Sequence, residues 1–133
     1  MTSVIWKSLS YSDNANSPRN KIDPANWQIP LHSHLWCPPT DLYEFENTYI
    51  ARVEIAGMNQ EDFSIKLEGN YLIISGIRYE THERRAYFQL EVRFGEFSTI
   101  LAIPGKFKPE LASAEYIDGF LTVFLPKEDV AKF

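Results

Sequence analysis

The chain has a single cysteine, Cys37, so no intrachain disulfide can form and nothing points to an oxidising compartment. No apolar stretch approaches membrane-spanning length. The start, Met1-Thr2-Ser3-Val4-Ile5-Trp6-Lys7, also lacks a continuous apolar run of signal-peptide length. The expectation is a soluble, cytoplasmic protein with no membrane partner. Clustered Lys and Arg are missing as well: Arg84-Arg85 stands alone after Glu83, and the net charge is −5. Neutralising phosphates needs a basic surface, so nucleic acid is not expected as a partner. Signatures of common chemistries are absent too, with no nucleophile elbow, no glycine-rich phosphate loop and no His-Glu-x-x-His. Carboxylate pairs such as Glu61-Asp62 and Glu44-x-Glu46 read as solvated faces of strand ends, and the chain is read as a non-enzyme.

Two imidazoles and a thiol do fall close together, in His32-Ser33-His34-Leu35-Trp36-Cys37. A closed zinc site needs four ligands at framework spacing, and the only other histidine is His82. Cys37 as a nucleophile needs a base and an orienting group on a rigid scaffold, which a proline-flanked loop does not supply. Neither a metal nor another cofactor is therefore expected. A redox or metal sensor built on Cys37, His32 and His34 remains an alternative.

What the chain does have is 133 residues, enough for one domain and a tail, with hydrophobic residues at 44% and aromatics at 14%. That aromatic share suits strands better than a helical bundle. Pro18, Pro24, Pro30, Pro38 and Pro39 crowd the first 39 residues, where no long regular helix can persist. Residues 1–38 are thus expected to be an irregular arm. All three tryptophans, Trp6, Trp27 and Trp36, lie in it, and such large apolar groups either dock on the body or meet other chains.

From Asp41 onward the pattern has period two. Tyr49, Ala51, Val53 and Ile55 alternate with Ile50, Arg52 and Glu54; Phe63, Ile65 and Leu67 alternate with Ser64 and Lys66. Tyr71 to Ser75 is a short apolar run of the kind covered on both faces, ended by Gly76. Ala86, Phe88, Leu90, Val92 and Phe94 alternate with polar or aromatic neighbours, and Phe97 to Ile103 follows up to Pro104-Gly105. The last pair runs from about Ser113 to Tyr116 and from Phe120 to Leu125. Asp118-Gly119 supplies the positive φ of a tight hairpin, and Pro126 stops further pairing. Seven or eight short strands with no long helical pattern predict an all-β, antiparallel, immunoglobulin-like β-sandwich over residues 39–127, followed by a short tail, 128–133.

Several of these segments, taken in order, resemble the α-crystallin domain of the small heat-shock proteins. Pro39-x-Asp41-Leu42-Tyr43-Glu44 is similar to that family's opening strand, and Val53-Glu54-Ile55-Ala56-Gly57-Met58 with Glu61-Asp62-Phe63-Ser64-Ile65 to its V-x-L-P-G-V…E-D-I-x-V segment. Leu72-Ile73-Ile74-Ser75-Gly76-Ile77-Arg78 looks like L-x-I-x-G-x-R, and Glu91 to Phe97 and Ile103-Pro104 follow in place. Ala114, Gly119 and Leu121 fit the closing A-x-x-x-n-G-x-L signature. Departures are Ala56, where the family usually has proline, and Val92 and Thr99, at positions often taken by arginine. No Ile-x-Ile or Ile-x-Val occurs after Lys127, which predicts a small assembly.

The resemblance implies an ATP-independent holdase that binds non-native clients. It places Phe63, Ile65 and Leu67, with the strand near Leu111 and Ser113, at a client groove. Trp6, Trp27 and Trp36 become client contacts of the arm. It also implies a dimerising strand carrying Arg84, Arg85, Tyr87, Phe88, Leu90 and Glu91, exchanged with a second copy. The competing reading is an adaptor of the CS-domain co-chaperone kind, which shares the sandwich but binds a folded partner.

Overall fold

A computed structural model describes residues 3–5, 10–12, 35–81 and 83–129. Two tight hairpins frame its first sheet. Strands β3 (Thr40–Phe45) and β4 (Thr48–Glu54) join through Glu46-Asn47, whose φ values of 48° and 60° are both left-handed. Strands β8 (Ser113–Ile117) and β9 (Phe120–Pro126) join through Asp118-Gly119, with φ of 51° and 82°. Two-residue loops of this handedness match the right-handed strand twist, and Asp-Gly is a favoured sequence for them. Gly119 meets a second demand: a Cβ there would sit 3.0 Å from that of Ala56, and its carbonyl accepts the Ile55 N–H at 2.8 Å. The turn tip is thereby fastened to the loop leaving β4. Strands β4 and β9 pair from Thr48↔Pro126 to Glu54↔Phe120, so the ladder ends at Pro126 as expected. A short strand β1 (Ser3–Ile5) lies antiparallel on β8, giving the order β1-β8-β9-β4-β3.

The second sheet has the order β2-β5-β6-β7, built from β2 (Ser10–Ser12), β5 (Phe63–Glu68), β6 (Tyr71–Arg78) and β7 (Gly95–Ala102). Every ladder is antiparallel except that of β2 on β5. Here β6 corrects the sequence reading, because it runs through Gly76 to Arg78 instead of stopping there. The glycine is a packing requirement: a Cβ at Gly76 would lie 2.5 Å from the Asp62 carbonyl and 2.8 Å from Cζ of Phe97. Gly76→Ala is expected to cost about 1–3 kcal/mol through overpacking, seen as a lower thermal midpoint. An unchanged midpoint would show that both the Asp62 carbonyl and the Phe97 ring have room to retreat.

Between the sheets, the inward positions follow the alternation. Tyr49, Ala51, Val53 and Ile55 meet Leu121, Val123 and Leu125 from their own sheet, and Phe63, Ile65, Leu67, Leu72, Ile74 and Phe97 from the other. The run at β6 is covered on both faces, with Leu72, Ile73 and Ile74 all buried. Ile50 departs from the pattern: it faces away from the core yet is buried, flanked across the ladders by Tyr43 and Phe124.

Two further expectations fail. The alternating stretch from Ala86 to Phe94 forms no strand: among the described residues, 79–94 are irregular. The region of Leu111 is a single 3₁₀ turn, Pro109–Leu111, with proline at its start; only at Ser113 does a strand begin. Proline has no N–H to give a ladder but fits the first helical position, which explains the turn.

Candidate functional site

Strands β5 and β8 face each other at one rim of the sandwich. Phe63 and Tyr116 make the contact, ring centroids 5.0 Å apart and nearly edge-on, a favoured arrangement for aromatic quadrupoles. The Tyr116 hydroxyl donates to the Ile55 carbonyl at 2.7 Å and accepts the Met58 N–H at 3.3 Å, tying the β4–β5 loop to this rim. Within the rim the five expected groove residues divide. Phe63, Ile65 and Leu67 point inward and are core residues, 3%, 6% and 0% exposed, because β5 turns the apolar half of its alternation to the facing sheet. Leu111 is 54% exposed on its 3₁₀ turn, and Ser113 is half-buried at the start of β8. The rim backbone is also engaged. β1 pairs with β8 from Ser3↔Tyr116 to Ile5↔Ala114, and β2 pairs with β5 from Ser10↔Lys66 to Ser12↔Glu68. The edges that an incoming strand would use by strand addition are thus partly occupied by the chain itself.

A second surface lies at the opposite edges. Beyond the final β6–β7 pair, Arg78↔Gly95, residues 79–94 leave the sandwich as an excursion. Tyr79, Tyr87, Phe88, Leu90 and Val92 are all exposed on it, Phe88 completely. Consecutive large apolar groups open to solvent are unusual and mark interaction sites. A small polar cluster holds its middle: the Tyr87 hydroxyl donates to Glu80 at 2.6 Å, and Arg85 lies 3.1 Å from Glu83 and 3.5 Å from Glu80 and also touches the Thr81 hydroxyl. The bond to Glu80 raises the Tyr87 phenol above its ordinary value, since a phenolate beside a carboxylate is disfavoured, and the bond to Glu83 raises the Arg85 guanidinium. Arg84 and Glu91 are exposed, and among the described residues neither forms an ion pair. On the first sheet, among the described residues, β3 is an outermost strand paired with β4; Tyr43 and Phe45 are exposed along it.

Trp36 is 8% exposed and packs on Phe97 with centroids 5.7 Å apart. Its backbone bridges β7, with Trp36 N–H on Glu96 O at 3.1 Å and Ser98 N–H on Trp36 O at 3.0 Å. In this arrangement it is an anchor of the body and largely covered, because the parallel bridge holds it against β7. Trp6, Trp27, His32, His34 and His82 lie outside the described residues. Cys37 is exposed. Among the described residues no cluster of three or more His, Cys, Asp or Glu could hold a metal, and no helix is long and apolar enough to cross a membrane. Of the signature residues, Ala114 and Leu121 are buried and Gly119 is the hairpin turn.

Sequence reasoning missed the open edge of β3, although Tyr43-x-Phe45 is a period-two apolar pair outside the core pattern. For the pairing of β1 and β2 no signal existed: Ser-Val-Ile and Ser-Tyr-Ser are too short to show a period.

Residues 41–132 match the model of the Hsp20/alpha crystallin family. The chain is 29% identical over 126 residues to small heat shock protein C4 of Rickettsia felis, spanning 92% of this chain and 77% of that one. It is 34% identical over 111 residues to a 17.9 kDa class II heat shock protein of Helianthus annuus, spanning 81% of this chain and 69% of that relative. Among solved structures, heat shock protein 16.0 of Schizosaccharomyces pombe is similar at a TM-score of 0.61 and 30% identity, covering 74% of this chain and 96% of that one.

Proposed function

The chain belongs to the Hsp20/alpha crystallin family, and on that premise we propose that it is an ATP-independent holdase acting in the cytoplasm as a homodimer or small oligomer. A chaperone without turnover works by mass action: it must bind non-native chains better than they bind one another. That requires accessible apolar surface kept soluble by charge, and Leu111, 54% exposed beside the exposed Glu110 at the rim, is the single observation that most supports the reading. Clients engage the rim between β5 and β8 through Leu111, Ser113 and the strand edges, with Phe63, Ile65 and Leu67 forming its floor. Trp6 and Trp27 serve as further client contacts in the arm. In this reading the chain divides into an arm, 1–38, which lends β1, β2 and Trp36 to the body, a sandwich, 39–127, and a tail, 128–133.

Self-association uses the other surface. Among the described residues the excursion, with its alternating apolar pattern, has no strand partner, and the outer edge of β3 has none either. Placing the excursion of one copy on β3 of the next, reciprocally, satisfies both and closes a two-fold dimer. Arg84, Arg85, Tyr87, Phe88, Leu90 and Glu91 belong to that exchanged segment. The adaptor reading needs neither the exposed excursion nor the free edge.

The test is to heat an aggregation-prone client without ATP and follow light scattering against molar ratio. Suppression at near-stoichiometric ratios is the expected result. No suppression at any ratio would leave the adaptor as the better account.

A further inference from the structure

We infer that Arg78 is a positioning residue for self-association: its guanidinium locks the neck of the 79–94 excursion and sets the direction in which that excursion leaves the sandwich. The inference rests on the exchange reading given above.

Arg78 occupies the last paired position of β6, so it stands where the excursion begins. Its Nε donates to the Arg93 carbonyl at 2.8 Å, and its Nη2 grips the same oxygen, on the returning limb of the excursion. The remaining arm of the fork, Nη1, donates to the Ala56 carbonyl at 3.1 Å, on the loop that leaves β4 in the other sheet. The guanidinium Cζ lies over the Trp36 ring, 4.7 Å from the centre, and 5.3 Å from the centre of the Phe94 ring. Trp36 is itself fixed by backbone bonds to Glu96 and Ser98 and by its indole N–H on the Gly95 carbonyl at 3.4 Å. One side chain therefore joins both limbs of the neck, the opposite sheet and a buried ring.

The acceptors show what this grip is for. None of the ion pairs among the described residues includes Arg78; its hydrogen-bond acceptors are main-chain carbonyls. A cation placed on carbonyls neutralises no opposing charge; it fixes the course of the backbone that carries them. Gly57 adds to the fit, since at φ +80° it turns the loop closely past the arginine stem, where a Cβ would stand 3.7 Å from Cδ. Beyond this neck, the side-chain hydrogen bonds of the excursion among the described residues stay inside it, between Glu80, Thr81, Glu83, Arg85 and Tyr87. The orientation of the apolar run toward a partner is then set at Arg78. Lysine cannot substitute fully: it has the charge but not the planar fork that reaches two carbonyls while stacked on a ring.

Sedimentation of the full-length chain over a dilution series tests this, with thermal melting recorded for each variant so that dissociation is measured only on folded protein. Leu90→Asp, which removes an apolar contact of the excursion, serves as the control for the exchange itself. We expect Arg78→Gln to raise the dimer dissociation constant by about tenfold or more, with Arg78→Lys between it and the parent. A change in dissociation of the folded chain is a readout that a merely structural arginine would not move. If Arg78→Gln and Arg78→Lys dimerise like the parent while Leu90→Asp does not, the exchange reading stands and the role given to Arg78 is overturned. Normal dimers of Leu90→Asp would instead overturn the exchange and this inference with it. Should Arg78→Gln fail to fold, Arg78→Lys decides: an unfolded or normally dimerising lysine variant makes Arg78 a residue of the fold alone and overturns the proposal.

Discussion

Replacing Leu67 with aspartate is expected to unfold the chain, whereas Leu111→Asp should leave the melting midpoint in place and lower the amount of client held. Leu67 is completely buried, paired across the β5–β6 ladder with Leu72, itself completely buried. Truncating a core leucine costs about 2–5 kcal/mol. Burying an unpaired carboxylate in its place adds several kcal/mol more. Against a total stability of about 5–15 kcal/mol, that combination removes the native state. Leu111 is 54% exposed on a one-turn 3₁₀ segment, where a substitution typically changes stability by no more than about 0.5 kcal/mol. A charge there acts on whatever binds the rim. Melting curves and the light-scattering assay together separate the two effects. A Leu67→Asp protein that melts like the parent but no longer holds clients would mean that β5 opens its inner face, restoring Phe63, Ile65 and Leu67 as the contact surface itself.

That contrast shows which parts of the site could be read from the residues. Period two at Phe63, Ile65 and Leu67 states that they share a face; it is silent on whether that face meets the other sheet or a visitor. The answer depends on Phe97, Tyr116 and Leu125, which lie far away in sequence. The hairpin at Asp118-Gly119 was legible because its requirement is local, a positive φ at two adjacent residues. Gly76 misled for the opposite reason: glycine commonly ends a strand, but here it lets a strand pass beneath Phe97. The stretch from Ala86 to Phe94 has the pattern of a strand but no ladder partner among the described residues. A sequence pattern records which residues suit a sheet, not which chain supplies the neighbouring strand. Ile50 broke the inward–outward alternation because its outer face lies between Tyr43 and Phe124 across the ladders, which a one-dimensional period cannot express, whereas Ile73 lies in an unbroken apolar run that announced cover on both faces.

The unpartnered pattern leads to the largest expected effect on assembly: Leu90→Asp, or Phe88→Asp, should convert the protein to a monomer without lowering the stability of the sandwich. Phe88, Leu90 and Val92 are exposed in the single chain and make no part of the buried core. Their replacement consequently removes nothing from the fold. In the exchanged dimer proposed above, by contrast, each would be covered by the partner's first sheet, on the side of the exposed Tyr43 and Phe45. Burying a leucine side chain contributes about 1.5–3 kcal/mol. Two-fold symmetry places the same residue in the interface twice, so losing it costs about 3–6 kcal/mol per dimer, or a factor of about 10²–10⁴ in dissociation constant. Aspartate adds the cost of desolvating its carboxylate, which pushes the effect toward the upper end. Phe45→Asp, on the receiving edge, should weaken the dimer in the same direction, since it attacks the other half of the same contact. Sedimentation across dilution measures all three variants. If the Leu90 and Phe88 variants remained dimeric while Phe45→Asp dissociated, the β3 edge would be pairing with itself, and the excursion would be left free as apolar surface for clients.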